Sequence, residues 1–301
     1  MKKLSFVWLL LLLNLNAIDR CMVVVVPSYN NLKYYKGNLD SILSQSYQNY
    51  RIVYVDDCST DGMSKTIEGY LHDQNVDFTS IIFEDNSAES LQKANERFID
   101  RLKGEKSFFL LVHNKRRSGA MANIYRVIQS TDDAEIVILV DGDDCLADTD
   151  VLARVNNAYN LEKEVWMTHG TLQEYPSRNV TWCEPVPPEY IKKNWFRKFK
   201  CPSHLRTFYS WLFKKIDVND FLYFGEFYQA TSDMAFMFPI CEMAGGRHEF
   251  LSEVNYYYNM SNSLNDNKIN QQLQNDLDFL IRNRIRYQPL KESEIPEFMR
   301  K

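Results

Sequence analysis

Short apolar runs recur along the first half of the chain, each followed by polar, turn-forming residues. Met22 to Val26 is the first, and comparable runs follow at Arg51 to Val55, Phe78 to Phe83, Phe108 to Val112 and Ile136 to Val140. Continuous runs of this length predict strands buried on both faces, as in a parallel sheet. Between them the period changes. Leu39, Ile42 and Leu43 fall on one helical face, and so do Met121, Ile124, Val127 and Ile128. Strands alternating with helices predict an α/β fold with a mostly parallel sheet flanked by helices. The right-handed crossover then aligns the strand C-termini along one edge, where ligands bind in such folds.

After about residue 150 the alternation fades. Trp166 to Tyr175 and Phe250 to Tyr258 read as strands, Leu205 to Ile216 and Ser232 to Ala244 as helices. Pro185, Pro187, Pro188 and Pro202 frame an irregular aromatic and basic stretch. Leu273, Leu277, Leu280 and Ile281 mark a last amphipathic helix. The expected organisation is a leader at 1–17, a ligand-binding half at 20–150, a smaller mixed half at 151–260 and a C-terminal helical segment at 261–301. No internal repeat or flexible linker separates the two halves, which predicts one compact unit.

The leader has the parts of a secretory signal peptide: Lys2 and Lys3, an apolar run from Leu4 to Leu13, then Asn14-Leu15-Asn16-Ala17. The run is shorter than the roughly 20 residues that span a bilayer. Entry into the secretory pathway or export is therefore expected, with membrane association through residues 4–15 if the leader is retained. Six cysteines form no CxxC pair, which excludes the usual zinc spacings. Cys183 and Cys201 could pair in an oxidising compartment, while burial as small apolar residues accounts equally well for the others. Asn179-Val-Thr181 and Asn259-Met-Ser261 are formal glycosylation sequons.

The 301 residues are 45% hydrophobic and carry a net charge of −5. That balance provides a core and lacks the basic field of nucleic-acid binding, so no nucleic-acid partner is expected. A phosphorylated ligand would need a cation or a few local basic groups.

The chemistry lies where the predicted strands end. The first leads into Pro27-Ser28-Tyr29-Asn30, the second into Asp56-Asp57-Cys58-Ser59-Thr60-Asp61-Gly62, and the fifth into Asp141-Gly142-Asp143-Asp144. Two acidic clusters thus converge on one edge. Carboxylates two apart supply hard oxygen ligands for a divalent cation, with Gly142 allowing a sharp turn. A polar strand-to-loop turn is the plainer alternative, since Asp and Gly are common turn formers. Cys145 at the fifth position, where an EF-hand loop needs an oxygen ligand, argues against a calcium-binding loop of that kind.

Taken in order, these segments resemble the inverting glycosyltransferases of family 2, which share the GT-A fold, a Rossmann-like sheet with a smaller acceptor-side region. The resemblance runs from about Met22 to Gly246. It is carried by Val26 to Asn30, by Leu39 to Tyr50, by the Asp56 to Gly62 turn, by Asn114 to Asn123 and by Asp141 to Asp144. It implies a nucleotide-diphosphate sugar donor, UDP above others, and a bridging Mn²⁺ or Mg²⁺. By position, Pro27, Tyr29, Asp57, Asn114 and Asp141 would bind the donor, and Asp143 the metal, with His204 as an additional ligand. Asp233 would be the catalytic base, although Ser232 stands where the family has Glu. Glu226 is a weaker substitute. Arg116 and Arg117 lie close enough in sequence to this edge to touch phosphate, although a solvated turn is the favoured role for them.

Trp195, Phe196, Phe199, Tyr209 and Trp211 offer surfaces for an acceptor sugar, or simply core. The acceptor itself, whether glycan, lipid or protein hydroxyl, is not legible. The alternative is a secreted, catalytically silent relative that binds a glycan or partner; the retained donor-site acids argue against it. A sugar-1-phosphate nucleotidyltransferase would need a glycine-rich loop where Pro27-Ser28-Tyr29-Asn30 stands.

Overall fold

Among the described residues nine strands form one sheet, the five strands of the first half lying side by side and the four of the second half continuing it. The computed structural model describes residues 18–84, 90–161, 163–180, 183–264 and 271–300. The leader and Thr181 of the first sequon lie outside the described residues. Among them, no helix is long and apolar enough to cross a membrane.

The five apolar runs become β1 (Met22–Ser28), β2 (Tyr50–Asp56), β3 (Phe78–Phe83), β4 (Phe109–Asn114) and β5 (Ile136–Leu139). They pair in parallel, β1 lying between β2 and β5 and β4 between β2 and β3. Every residue of β1, β2 and β4 is buried, as unbroken apolar runs require of a sheet covered on both faces. The helices of this half are α1 (Tyr35–Leu43), α2 (Met63–Asp73), α3 (Leu91–Leu102), α4 (Ala120–Ser130) and α5 (Val151–Tyr159). At the sheet's N-terminal edge, Arg51 makes a bidentate ion pair with the buried Glu135 at 2.7 and 2.9 Å.

The second half carries β6 (Cys145–Leu146), β7 (Met167–Tyr175), β8 (Arg206–Tyr209) and β11 (His248–Asn259). A small hairpin of β9 (Leu222–Tyr223) and β10 (Glu226–Phe227) stands apart from the sheet. The helices are the short α6 (Pro188–Lys192) and α7 (Ser210–Lys214), then α8 (Ser232–Ala244) and α9 (Gln271–Asn283). β7 and β11 are parallel to each other, whereas β8 is antiparallel to both β5 and β7. The sheet therefore runs without interruption from one half into the other.

One element differs from its expected form. Leu205 to Ile216 has apolar residues at helical spacing, yet only Ser210–Lys214 is α-helix, and Arg206–Tyr209 is a strand. Thr207, Phe208 and Tyr209 are β-branched or aromatic and are buried between two sheet partners, a setting that favours strand over helix. The cysteines also resolve. Cys183 and Cys201 are not joined by a disulfide, and the Cys183 sulfur exchanges hydrogen bonds with the Leu172 backbone. Asn259 is buried and its side-chain oxygen accepts from Ser261, so the second sequon is not presented as an acceptor.

Candidate active site

A cleft of about 840 Å³ opens along the C-terminal edge of the parallel strands, lined by Pro27, Tyr29, Asp57, Asp141, Asp143, His204 and Asp233 among others. Each lies in, or within a few residues of, a strand end or a helix start, so the fold itself sets their spacing. Asn114, the remaining expected donor-site residue, lies behind this wall. Its buried amide donates to Asp57 at 2.8 Å and to Asn123 at 2.9 Å.

Asp57 is itself 3% exposed. Besides Asn114 it accepts from the backbone N–H groups of Ser118 at 2.9 Å and Gly119 at 2.8 Å. Three donors on one carboxylate hold it in a single orientation at the mouth of β2. Gly119 presents its N–H with φ at +87°, a conformation that a side chain would strain. Arg117, in the same loop, sets its guanidinium 4.0 Å over the Tyr29 ring. It lines the cleft with Tyr29, the less favoured of the two positions that the sequence left open for it. Arg116 is exposed.

The Asp141–Asp144 turn is pinned from three sides. Asn38 of α1 donates to the carbonyls of Asp141 at 2.9 Å and Asp144 at 2.8 Å. Tyr256 of β11 receives the Asp141 backbone N–H at 3.0 Å. Gly142 sits against β1, and its N–H donates to the Pro27 carbonyl at 3.1 Å. Asp143 points its carboxylate at the Asn262 amide, 2.6 Å away. Burial raises its pKa against the lowering effect of that hydrogen bond. Asp144 is buried and accepts from the Asn259 backbone. Burial, then the charges of Asp143 and Asp141, push it well above the usual carboxylate range.

These carboxyls suit a hard cation. Asp141 and Asp143 both line the cleft, and no salt bridge among the described residues neutralises Asp143. No group of three or more His, Cys, Asp or Glu among the described residues is arranged to enclose a metal. A cation held by one or two carboxylates and completed by phosphate oxygens and water is the usual manner for Mg²⁺. His204, expected as a further ligand, is buried. Its Nε2 accepts from Arg206 at 2.8 Å and its Nδ1 has no hydrogen-bond partner.

At the other end of the cleft, Asp233 opens α8. Its Oδ1 accepts from the Met234 N–H at 2.9 Å, and its Oδ2 pairs with Arg206 at 2.7 Å. A carboxylate in the first helical turn also gains from the helix dipole. The side chain is 34% exposed toward the cleft. Glu226, the weaker candidate, stands exposed on the β9–β10 hairpin outside the cleft lining. The expected sugar-stacking aromatics are elsewhere too. Phe196, Tyr209 and Trp211 are core residues, Trp195 lies between Lys193 and Lys198, and the aromatic walls are Tyr29 and Tyr258.

The arrangement is that of an α/β fold with acidic turns converging on the C-terminal edge of its parallel strands, and solved structures share the fold. TarS of S. aureus superposes with a TM-score of 0.54 at 19% identity, over 79% of this chain and 60% of that one. The same protein in complex with UDP-GlcNAc gives 0.51. Glucosyl-3-phosphoglycerate synthase from Mycobacterium tuberculosis, with Mn²⁺ and UDP, gives 0.50 at 11% identity, over 87% and 80%. In sequence, residues 23–79 match the model of glycosyl transferase family 2. The putative teichuronic acid biosynthesis glycosyltransferase TuaG of Bacillus subtilis (strain 168) is 32% identical over 89 residues, which are 29% of this chain and 33% of that protein. The chain thus shares the fold of these solved glycosyltransferases, and its first strands and helices match glycosyl transferase family 2 over residues 23–79. The segment it shares with TuaG spans about a third of that relative's length.

Proposed function

We propose that the protein is a metal-dependent inverting glycosyltransferase that moves a sugar from a UDP-sugar to a hydroxyl of a glycan, lipid or protein acceptor. The observation that carries this reading is that Asp57, Asp143 and Asp233 all line one cleft, at the strand-end edge where such sheets bind nucleotides. Asp57, fixed by its three N–H donors, is oriented to accept from the base. Pro27 and Tyr29 wall the nucleoside. Asp141 and Asp143 would hold the Mn²⁺ or Mg²⁺, which supplies charge neutralisation for the diphosphate.

Asp233 is placed to take the proton of the acceptor hydroxyl as its oxygen bonds to the anomeric carbon. The bond from that carbon to the diphosphate breaks, its electron pair leaves with the diphosphate, and the configuration inverts. A general base contributes roughly 10²–10⁴-fold to such a step. The UDP complexes of the GT-A neighbours support the choice of nucleotide.

The test is a panel of nucleotide sugars scored for metal-dependent hydrolysis and for thermal stabilisation. UDP should raise the melting temperature only with Mn²⁺ or Mg²⁺ present, and Asp143→Ala should remove that shift. A metal-independent shift, or none with any nucleotide, would overturn the reading.

A further inference from the structure

Arg206 opens β8 and is 5% exposed, with its guanidinium divided among three acceptors. Nε donates to the Pro202 carbonyl at 2.7 Å, one terminal nitrogen to His204 Nε2 at 2.8 Å, and the other to Asp233 Oδ2 at 2.7 Å. A guanidinium is a permanent cation with donors only, fixed in one plane. His204 Nε2 must therefore be the acceptor, which places the neutral ring's proton on Nδ1. That ring stacks on Tyr256 at 4.4 Å and 19°, and the Tyr256 hydroxyl receives the Asp141 backbone N–H. A continuous line of contacts thus joins the acidic residue at one end of the cleft to the acidic turn at the other.

Resting on the transferase reading above, we propose that Arg206 is the positioning residue for the Asp233 base, and that His204 braces Arg206 rather than ligating the metal. The physical need is clear from the placement of Asp233. A partly exposed aspartate at a helix start has several rotamers within reach. Only the one with Oδ2 on Arg206 and Oδ1 on the Met234 N–H fixes both oxygens. With both oxygens held, the carboxylate keeps one orientation toward the acceptor. His204 is suited to the bracing role because its Nε2 lone pair already receives a permanent donor. Its partner Tyr256 also buttresses the Asp141 turn, so base and donor site share one support.

Arg206→Gln and Arg206→Lys, compared with Asp233→Asn, test this. Three measurements apply: calorimetric binding of UDP with Mg²⁺, steady-state hydrolysis of a UDP-sugar, and ¹⁵N-histidine spectra of the full chain. Binding of UDP and the donor KM should stay at wild-type values in all three variants. The kcat should fall about 100-fold in Arg206→Gln, the scale of a misplaced catalytic group. Arg206→Lys should recover part of it, because the charge remains while the fork is lost. The His204 spectrum of the wild type should show Nδ1 protonated and Nε2 bare, unchanged by Mg²⁺ with UDP.

A folded Arg206→Gln with wild-type kcat overturns the proposal. So does a His204 protonated at Nε2, or one whose nitrogen signals move when Mg²⁺ is added as a ligand's would. A wild type that binds no UDP with any divalent cation overturns the transferase reading instead, and the His204 spectrum still decides the bracing arrangement.

Discussion

Gly142 and Ser28 stand closer than any side chain on the former would allow. A Cβ built on Gly142 would lie 2.2 Å from the Ser28 hydroxyl and 2.5 Å from its Cβ. The Asp141–Asp144 turn is thus pressed onto the end of the first strand, which brings Asp141 and Asp143 to the wall formed by Pro27 and Tyr29.

Gly142→Ala should therefore displace the turn. The expected cost is about 1–3 kcal/mol of stability, as for overpacking, with loss of metal-dependent UDP binding. Ser28→Gly added to it should restore part of both by removing the blocking atoms. Thermal melts and calorimetry of the single and double variants check this; a Gly142→Ala protein with wild-type melting and affinity would contradict the packing argument.

Asp57→Asn replaces one carboxylate oxygen with a donor. Since three N–H groups converge on Asp57, the new amide must face one of them. One buried donor is left unsatisfied, at about 1–3 kcal/mol. Melting temperature and UDP affinity should both fall, the second by more than stability alone accounts for. Equal stability with unchanged affinity would remove Asp57 from the donor site.

Arg117→Ala should weaken UDP binding while leaving the fold intact, because the side chain is exposed and its contact is the Tyr29 face. A cation–π contact contributes about 0.5–2 kcal/mol, so calorimetry should find a loss of several-fold. Tyr29→Ala should cost more, since it removes a cleft wall as well. A wild-type affinity in Arg117→Ala would return that residue to the role of a solvated turn.

Stability should fall in acid through the Arg51–Glu135 pair. Burial alone would raise Glu135, but the bidentate bond and charge of Arg51 outweigh it and hold the carboxyl below its ordinary value. A depressed folded pKa contributes stability that is complete above the unfolded value of about 4.3. It is lost as pH falls through the lower folded value. Glu135→Gln should flatten that part of the acid profile of the melting temperature, and should also lower stability at neutral pH by about 3–5 kcal/mol, because Arg51 is left buried without its counter-charge. An unchanged acid profile would assign the loss to other carboxylates.

The donor half was legible because local rules suffice there. Apolar runs alternating with helices make a parallel sheet, and the acids at the strand ends gather on one edge, so Asp57, Asp141 and Asp143 come to line one cleft. The run at Phe78–Phe83 departs from the expected burial because it is the edge strand, with Ile82 58% exposed. Ser232–Ala244 also emerged as a helix with its expected bounds. What the sequence did not disclose depends on partners far along the chain. Arg206 draws its meaning from Asp233 and His204, Asn262 from Asp143, and Tyr256 from Asp141. The strand at Arg206–Tyr209 was hidden because its apolar residues, together with Leu212, Phe213 and Ile216, repeat at a spacing that suits a helix equally well. Only the two flanking strands decide between them.

That strand has a mechanical consequence. At four residues, β8 is the sole seam between β5 and β7 in the sheet order, and its register with β5 sets how far Arg206 stands from the end of that strand. A slip by one position would turn its side chains to the opposite faces and carry the guanidinium out of the groove. On the proposed function, hydrogen-bond register would gauge the spacing between donor and acceptor, and lengthening the chain beside this strand would shift Arg206 against Asp233 without altering any residue of the acidic turns.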